Sequence, residues 1–428
     1  MIVYLICYAA SWIFARFGLY YLSGAALFLA AGYLYVYDYR RSGNLIHLRG
    51  LFSCFWVGGQ GAACLKLSKL QTDWAIQTWI CFFLALVGFW ITFEVLDRLM
   101  GGNERFTMNR YRQRSTVRPL FFCIVGLTVI SAAAFVTEAA VLGFIPVLVR
   151  GVPHAYSAFH MTGLHYVTVS CVLIPAMTVL YFEQGGSRSG RKNGLIVLCT
   201  LVSIAIPILC VSRFQLVFAV ILAVFTFCAS QKNVSPWLFV AAVVALIPCY
   251  VLLTVARSHD VTYLNGIFEM KNSRMPIFVS QPYIYIANNY ENFDCLVKAL
   301  PAHTWGIRML FPVWALTGLK FLYPYLVSFP IYVDKTELTT LTLFYDSYYD
   351  FGWIGVLLFS CILGAVAYIL VVKLREMRNP LGYLLYAQFA AYLMLSFFTT
   401  WFSNTTTWFY LILTGIMALF YHLRASRW

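Results

Sequence analysis

Apolar residues are gathered along this chain into long runs that are hydrophobic on every side, at 1–15, 17–37, 51–65, 74–96, 119–137, 161–182, 195–212, 214–230, 236–256, 351–372, 381–400 and 407–421. A helix needs about 20 mostly apolar residues to cross a bilayer, so the pattern predicts about 12 transmembrane helices. A membrane barrel would show strands alternating with period two, and these runs do not alternate. The first run is apolar from its second residue, has no basic leader and continues past Arg16 into the next, so it reads as an uncleaved span. Gly58, Gly59 and Gly61 in the third run are small residues that allow close helix contact. One long stretch, 257–350, breaks the pattern with polar and aromatic residues. The expected fold is therefore an all-α polytopic membrane protein in three parts: spans one to nine in 1–256, a large extracytoplasmic loop domain in 257–350, and spans ten to twelve with a tail in 351–428.

Composition agrees with that class. With 61% hydrophobic residues, 11% charged and a mean hydropathy of +0.77, the chain falls far below the quarter or so of charged residues usual in soluble domains. Charge then sets the sides, because cytoplasmic loops hold the excess of Lys and Arg. With both termini cytoplasmic, 18 of the 30 Lys and Arg fall inside, all in short segments, and 10 of the 16 acids fall outside. The most basic joint, 98–118, carries Arg98, Arg105, Arg110, Arg112, Arg114 and Arg118 against Glu104 alone. The net charge of +14 is thus an orientation signal and gives no reason to expect nucleic acid as a partner. Eleven of the 12 cysteines sit in apolar runs, and only Cys295 lies in the polar stretch. No Cys-x-x-Cys occurs, and His154, His160, His259 and His303 are too scattered to suggest zinc, so no metal is expected.

Candidate chemistry gathers at the outer face. Arg213 lies where two spans meet and Arg257 where span nine leaves the bilayer. Two guanidinium forks at one depth would clamp a lipid-linked phosphate or pyrophosphate, although each could equally anchor a helix end. In the polar stretch, 275–300 reads as a helix with one polar edge, placing Tyr283, Tyr285, Tyr290 and Phe293 beside Asn288, Asn289, Glu291 and Asp294. A second element, 306–326, reads as lying in the interface with Trp314, Phe321, Tyr323 and Tyr325. Aromatics beside amides and carboxylates suit sugar rings, and also suit an aromatic belt at the headgroups.

Just before span ten the stretch 339–355 carries threonines including Thr342, a Phe344-Tyr345 step and Asp350-Phe351-Gly352-x-x-Gly355. This resembles the oligosaccharide repeat unit polymerases of bacterial O-antigen, capsule and exopolysaccharide pathways, which are related to the O-antigen ligases. The Ser212-Arg213 start of a central span and an arginine heading the largest outer loop are similar to the same family. The resemblance implies a GT-C-like, metal-independent glycosyltransferase without cofactor, in the bacterial inner membrane with its active site on the periplasmic side. Such an enzyme transfers a glycan from one undecaprenyl-pyrophosphate carrier to the non-reducing end of a second lipid-linked unit. Its partners are the lipid-linked donor and acceptor, membrane lipids and a chain-length regulator protein. The ligases carry a His-Asn pair ten residues before Gly-x-x-Gly, where this chain has Leu341 and Thr342, which favours polymerase over ligase.

On that reading Arg213 and Arg257 are the catalytic arginines, because fixed cations stabilise the charge built on a departing pyrophosphate. Asp350, Asp260 and His259 are candidates for deprotonating the acceptor hydroxyl, Asp350 being also a natural helix cap. Arg150 and Arg274 are candidates for the second carrier's pyrophosphate, and Tyr345, Thr342 and Asn289 for further substrate contacts. A flippase of lipid-linked sugars would want charges deep in several spans, where only Glu94 comes close. A membrane acyltransferase would want a buried histidine with a companion acid, and His165 in span six is the one approach to that.

Overall fold

The computed structural model describes residues 1–100, 117–149, 155–231, 234–235, 237, 241, 244, 261–374 and 376–425. Among them the chain is helical, with one isolated bridge between Ser68 and Met270. The principal helices are α1 (Ile2–Arg16), α2 (Tyr20–Ser42), α3 (Leu48–Cys64), α4 (Ile76–Leu99), α5 (Val117–Leu142), α6 (Leu164–Glu183), α7 (Gly190–Leu209), α8 (Arg213–Ser230), α9 (Val261–Phe268), α10 (Ile277–Ala299), α11 (Phe311–Leu316), α12 (Tyr345–Lys373), α13 (Leu381–Met394) and α14 (Thr405–Ala425). Among the described residues seven helices, α4 to α8, α12 and α14, are long and apolar enough to cross a membrane, and α1 and α13 are shorter apolar helices. The protein is an all-α polytopic membrane protein.

Two of the predicted boundaries move for physical reasons. The run 381–400 is helical only to Met394, because the chain then leaves the helix so that the Ser396 carbonyl can accept the Leu343 N–H at 2.8 Å. Helix α12 begins at Tyr345, six residues before the apolar run, because a turn of helix precedes a kink. The predicted span 236–256 lies mostly outside the described residues.

The chain divides into two compact units. Unit 1 comprises Met1–Thr107, Val261–Val372 and Tyr392–Trp408, so the described part of the polar stretch packs with the first four helices. Helices α2 and α3 touch backbone to backbone: a Cβ at Gly24 would lie 2.7 Å from the Gly61 carbonyl oxygen, and one at Gly61 would lie 3.1 Å from that of Gly24. A buried arginine ties the other ends of α2, α3 and α4. Arg49 binds Asp38 through Nε at 3.0 Å and Nη2 at 2.6 Å, reaches Glu94 through Nη1 at 2.9 Å, and stacks its guanidinium 4.1 Å from the Trp90 ring.

Helix α10 is inserted rather than laid on top. Its Tyr290 packs against Trp56 and Phe82 and donates to the Trp56 carbonyl at 2.9 Å, in a space that Gly59 leaves by having no side chain. The polar edge read from the sequence is therefore buried. Glu291 accepts from Lys66 at 2.7 Å, Trp74 Nε1 at 2.8 Å and the Thr72 N–H at 3.2 Å, and Asp294 accepts from Thr78 and the Ala75 N–H. By contrast Leu310, Phe321, Leu322, Tyr323 and Tyr325 are exposed, as an element lying in an interface would be.

Unit 2 comprises Met108–Asp260, Lys373–Ala391 and Phe409–Trp428. Here α6 is interrupted by a 3₁₀ turn at Ser170–Leu173, followed by Pro175, whose missing N–H cannot continue the ladder. Single polar bonds join its helices: Thr178 to Thr200 at 2.8 Å, Gln388 to Thr414 at 2.7 Å, and the Tyr410 hydroxyl to the Val169 carbonyl at 3.0 Å.

Candidate functional site

The Asp-Phe-Gly-x-x-Gly stretch builds the most distorted backbone in unit 1. Gly352 has φ 61° and ψ −149°, a conformation essentially closed to residues with a Cβ. Three residues on, a Cβ at Gly355 would collide with the carbonyl oxygen of Ser347. In a straight helix residues eight apart are separated by about 12 Å along the axis, so the 345–351 turn is folded back onto the start of the span.

That fold-back delivers two acids to the loop 303–309. The Asp350 carboxylate accepts from Thr304 Oγ1, from the Arg308 N–H at 3.2 Å and from the Met309 N–H at 2.7 Å, and its backbone carbonyl accepts the Trp305 N–H at 3.2 Å. It caps this loop with every oxygen engaged and is fully buried. Asp346 pairs with Arg308 Nε. The Arg308 guanidinium lies 4.6 Å from the Tyr349 ring and 5.3 Å from the Tyr345 ring, and the Tyr345 hydroxyl is held by the backbone of Tyr332 at 2.8 and 2.9 Å. Burial works against the charge on Arg308, but the Asp346 carboxylate outweighs it and raises the arginine above its ordinary value. Neither Nη of Arg308 has a partner among the described residues, and the side chain keeps 12% exposure. Three residues earlier Trp305 adopts φ 54° and is 76% exposed, with its ring 6.1 Å from that of Phe351. A guanidinium with two open donors can take an anionic group, and an exposed indole on the same loop can stack on a sugar ring.

Of the residues predicted from sequence, Tyr345 and Asp350 fall in this cluster. Asn289 and Thr342 lie nearby in chain packing: Asn289 Oδ1 accepts from Thr340 at 2.5 Å and its amide donates to the Phe397 carbonyl at 2.6 Å, while Thr342 is buried. Arg274 is exposed. Arg213 belongs to unit 2, at the first turn of α8, and is 8% exposed. The turn before it is strained, since Val211 has φ 54°, a region that β-branched residues avoid. Arg150, Arg257, His259 and Asp260 lie outside the described residues, as does most of the basic joint 98–118.

Two features escaped the sequence. Arg308 is a lone basic residue with nothing in its neighbours to separate it from Lys298 or Lys320; only the acid 38 positions later singles it out. In unit 2 His165 has the companion acid it lacked in the sequence: Nδ1 is 3.2 Å from both oxygens of Glu138, a fully buried carboxylate 27 positions earlier on α5. Glu138 also accepts the Met161 N–H at 3.1 Å. Among the described residues no three His, Cys, Asp or Glu side chains are grouped as metal ligands.

Fold and geometry thus define the class, a multi-pass helical membrane protein with a partly buried arginine and acid cluster at a kinked helix start. Set beside known protein families, curated proteins and solved structures, the chain matches none of them.

Proposed function

We propose that this chain is a GT-C-like glycosyltransferase that polymerises undecaprenyl-pyrophosphate-linked oligosaccharide repeat units at the periplasmic face of the bacterial inner membrane. One observation carries the reading. The stretch that resembles the polymerases is the stretch that kinks at Gly352 and brings Asp346, Asp350, Tyr345 and Tyr349 around Arg308. In the reaction an acceptor hydroxyl oxygen attacks the donor's anomeric carbon, and the bond from that carbon to the pyrophosphate oxygen breaks. The bonding pair leaves on the pyrophosphate, and the hydroxyl proton passes to a carboxylate or imidazole. Arg308 takes the leaving diphosphate through its open Nη groups, held at its Nε edge by Asp346, and Trp305 offers a face to a sugar ring. Asp350, with its oxygens engaged, positions the loop.

The test is to incubate purified full-length protein with lipid-linked repeat units in the presence of a chelator. A ladder of longer lipid-linked glycans is expected, and intact substrate without a ladder would sink the proposal. Arg308→Lys keeps charge but loses the fork, and should slow the ladder roughly 10- to 100-fold.

The His165 and Glu138 pair favours a second reading, acyl transfer. A carboxylate on Nδ1 leaves Nε2 to take a proton from an acceptor hydroxyl as its oxygen attacks a thioester carbonyl and the thiol departs. His165→Ala separates the two: unchanged glycan ladders place the pair outside polymerisation, and loss of acyl incorporation with ladders intact would favour acylation.

A further inference from the structure

Where α1 ends and the 65–75 loop turns back, unit 1 has a cavity of about 90 Å³ lined by Trp12, Arg16, Tyr20, Asp73, Trp74 and Trp79 among others, with Lys66 at its edge. By the usual share of cavity space per water it holds on the order of six waters, enough for a small polar headgroup. Its charges are arranged unusually. Arg16 and Asp73 share the cavity without forming an ion pair with each other. Among the described residues Arg16 meets the Trp12 ring, 5.7 Å from its guanidinium carbon, and Asp73 accepts the Tyr20 hydroxyl on Oδ1 at 3.0 Å and the Lys298 ammonium on its backbone carbonyl at 3.1 Å, with no partner there for Oδ2. Lys66 is spent on Glu291 and the Thr72 carbonyl.

An opposite pair held apart across a cavity fits a ligand that carries both charges. The indole walls add a second preference, since Trp faces attract ammonium groups, as the Lys66 ammonium 4.8 Å over the Trp74 ring already shows, which leaves Trp79 for a ligand. What surrounds the mouth names the source. Ile13, Phe17, Leu19 and Leu22, around the joint of α1 and α2, and Ile76 and Ile80, on the membrane-length α4, are between 44% and 76% exposed, an apolar surface where acyl chains would lie. We infer that this cavity binds the headgroup of an aminophospholipid, its phosphate on Arg16 and its ammonium between Asp73 and Trp79. The inference stands whether or not the chain transfers sugars.

The test uses the full chain, purified and delipidated in detergent, titrated with dioleoyl phosphatidylethanolamine, phosphatidylcholine or phosphatidylglycerol and read by native mass spectrometry and tryptophan fluorescence. Phosphatidylethanolamine should bind tightest and shift the tryptophan signal. Arg16→Gln should weaken it roughly three- to tenfold, and Asp73→Asn should erase the preference over phosphatidylglycerol. Both residues are exposed, so unchanged melting temperatures should accompany these losses. Equal binding of phosphatidylglycerol with Asp73→Asn silent would overturn the assignment, as would equal binding of chain-free phosphoethanolamine or a response to hexoses alone.

Discussion

Single residues in unit 1 carry constraints that no neighbour can replace. Gly352 tolerates its dihedrals because it has no Cβ, and one placed there would meet His303 Nε2 at 3.1 Å. Gly352→Ala should therefore cost about 1–3 kcal/mol, and Gly355→Ala at least as much through the Ser347 carbonyl. Thermal unfolding in detergent checks both, and a Gly352→Ala protein with wild-type melting would remove the kink from the argument. Lys66 and Glu291 are buried partners. Burial raises the Glu291 carboxyl above its ordinary value, while Lys66 pulls it down. A raised carboxyl binds its proton more tightly in the folded protein than in the unfolded chain, so its contribution is most favourable below the unfolded value and declines as pH rises through the raised one. Lys66→Met removes the opposing charge and should cost about 3–5 kcal/mol at neutral pH. That deficit should narrow as the pH is lowered and Glu291 takes up its proton. A deficit independent of pH would mean that Lys66 acts through packing alone.

At the scale of elements, α10 was legible as a helix over 275–300, but its role was not. A polar edge on an amphipathic helix ordinarily meets water. Here Asn288 and Asn292 satisfy backbone groups of an irregular strap instead, with Asn288 donating to the Leu338 carbonyl at 3.3 Å and Asn292 donating to the Leu338 and Thr340 carbonyls at 2.7 and 2.8 Å and accepting the Asp334 N–H at 3.0 Å, while Asn289 accepts the Thr340 hydroxyl. Asn292→Ala leaves the Thr340 carbonyl and the Asp334 N–H without this partner, a loss of about 2–4 kcal/mol. Limited proteolysis should then cut within 331–343 faster than in wild type; an unchanged digestion pattern would mean that the strap is held from elsewhere. The same burial explains why Asn289, read as a sugar contact, sits in packing. The kinked start of α12 was legible as a motif and illegible as a shape, because the collision that requires Gly355 comes from a carbonyl eight residues back.

For the whole molecule, the distribution of Lys and Arg predicts sidedness that labelling can read. Thr72→Cys and Phe321→Cys should react with a membrane-impermeant maleimide from the side opposite the basic joints, and Met100→Cys and Leu423→Cys only after permeabilisation, all above the background of native cysteines. Labelling of Thr72→Cys and Met100→Cys from the same side would overturn the orientation. The sequence by itself determined the membrane class and the seven membrane-length helices among the described residues, because a lipid-facing helix must be apolar over its full length and local composition records that requirement. Which polar residues meet was decided only by the tertiary structure. Arg308 with Asp346, Glu138 with His165, and Arg16 across from Asp73 are separated by 27 to 57 positions, and a charge in a sequence carries no record of the partner that the fold brings to it.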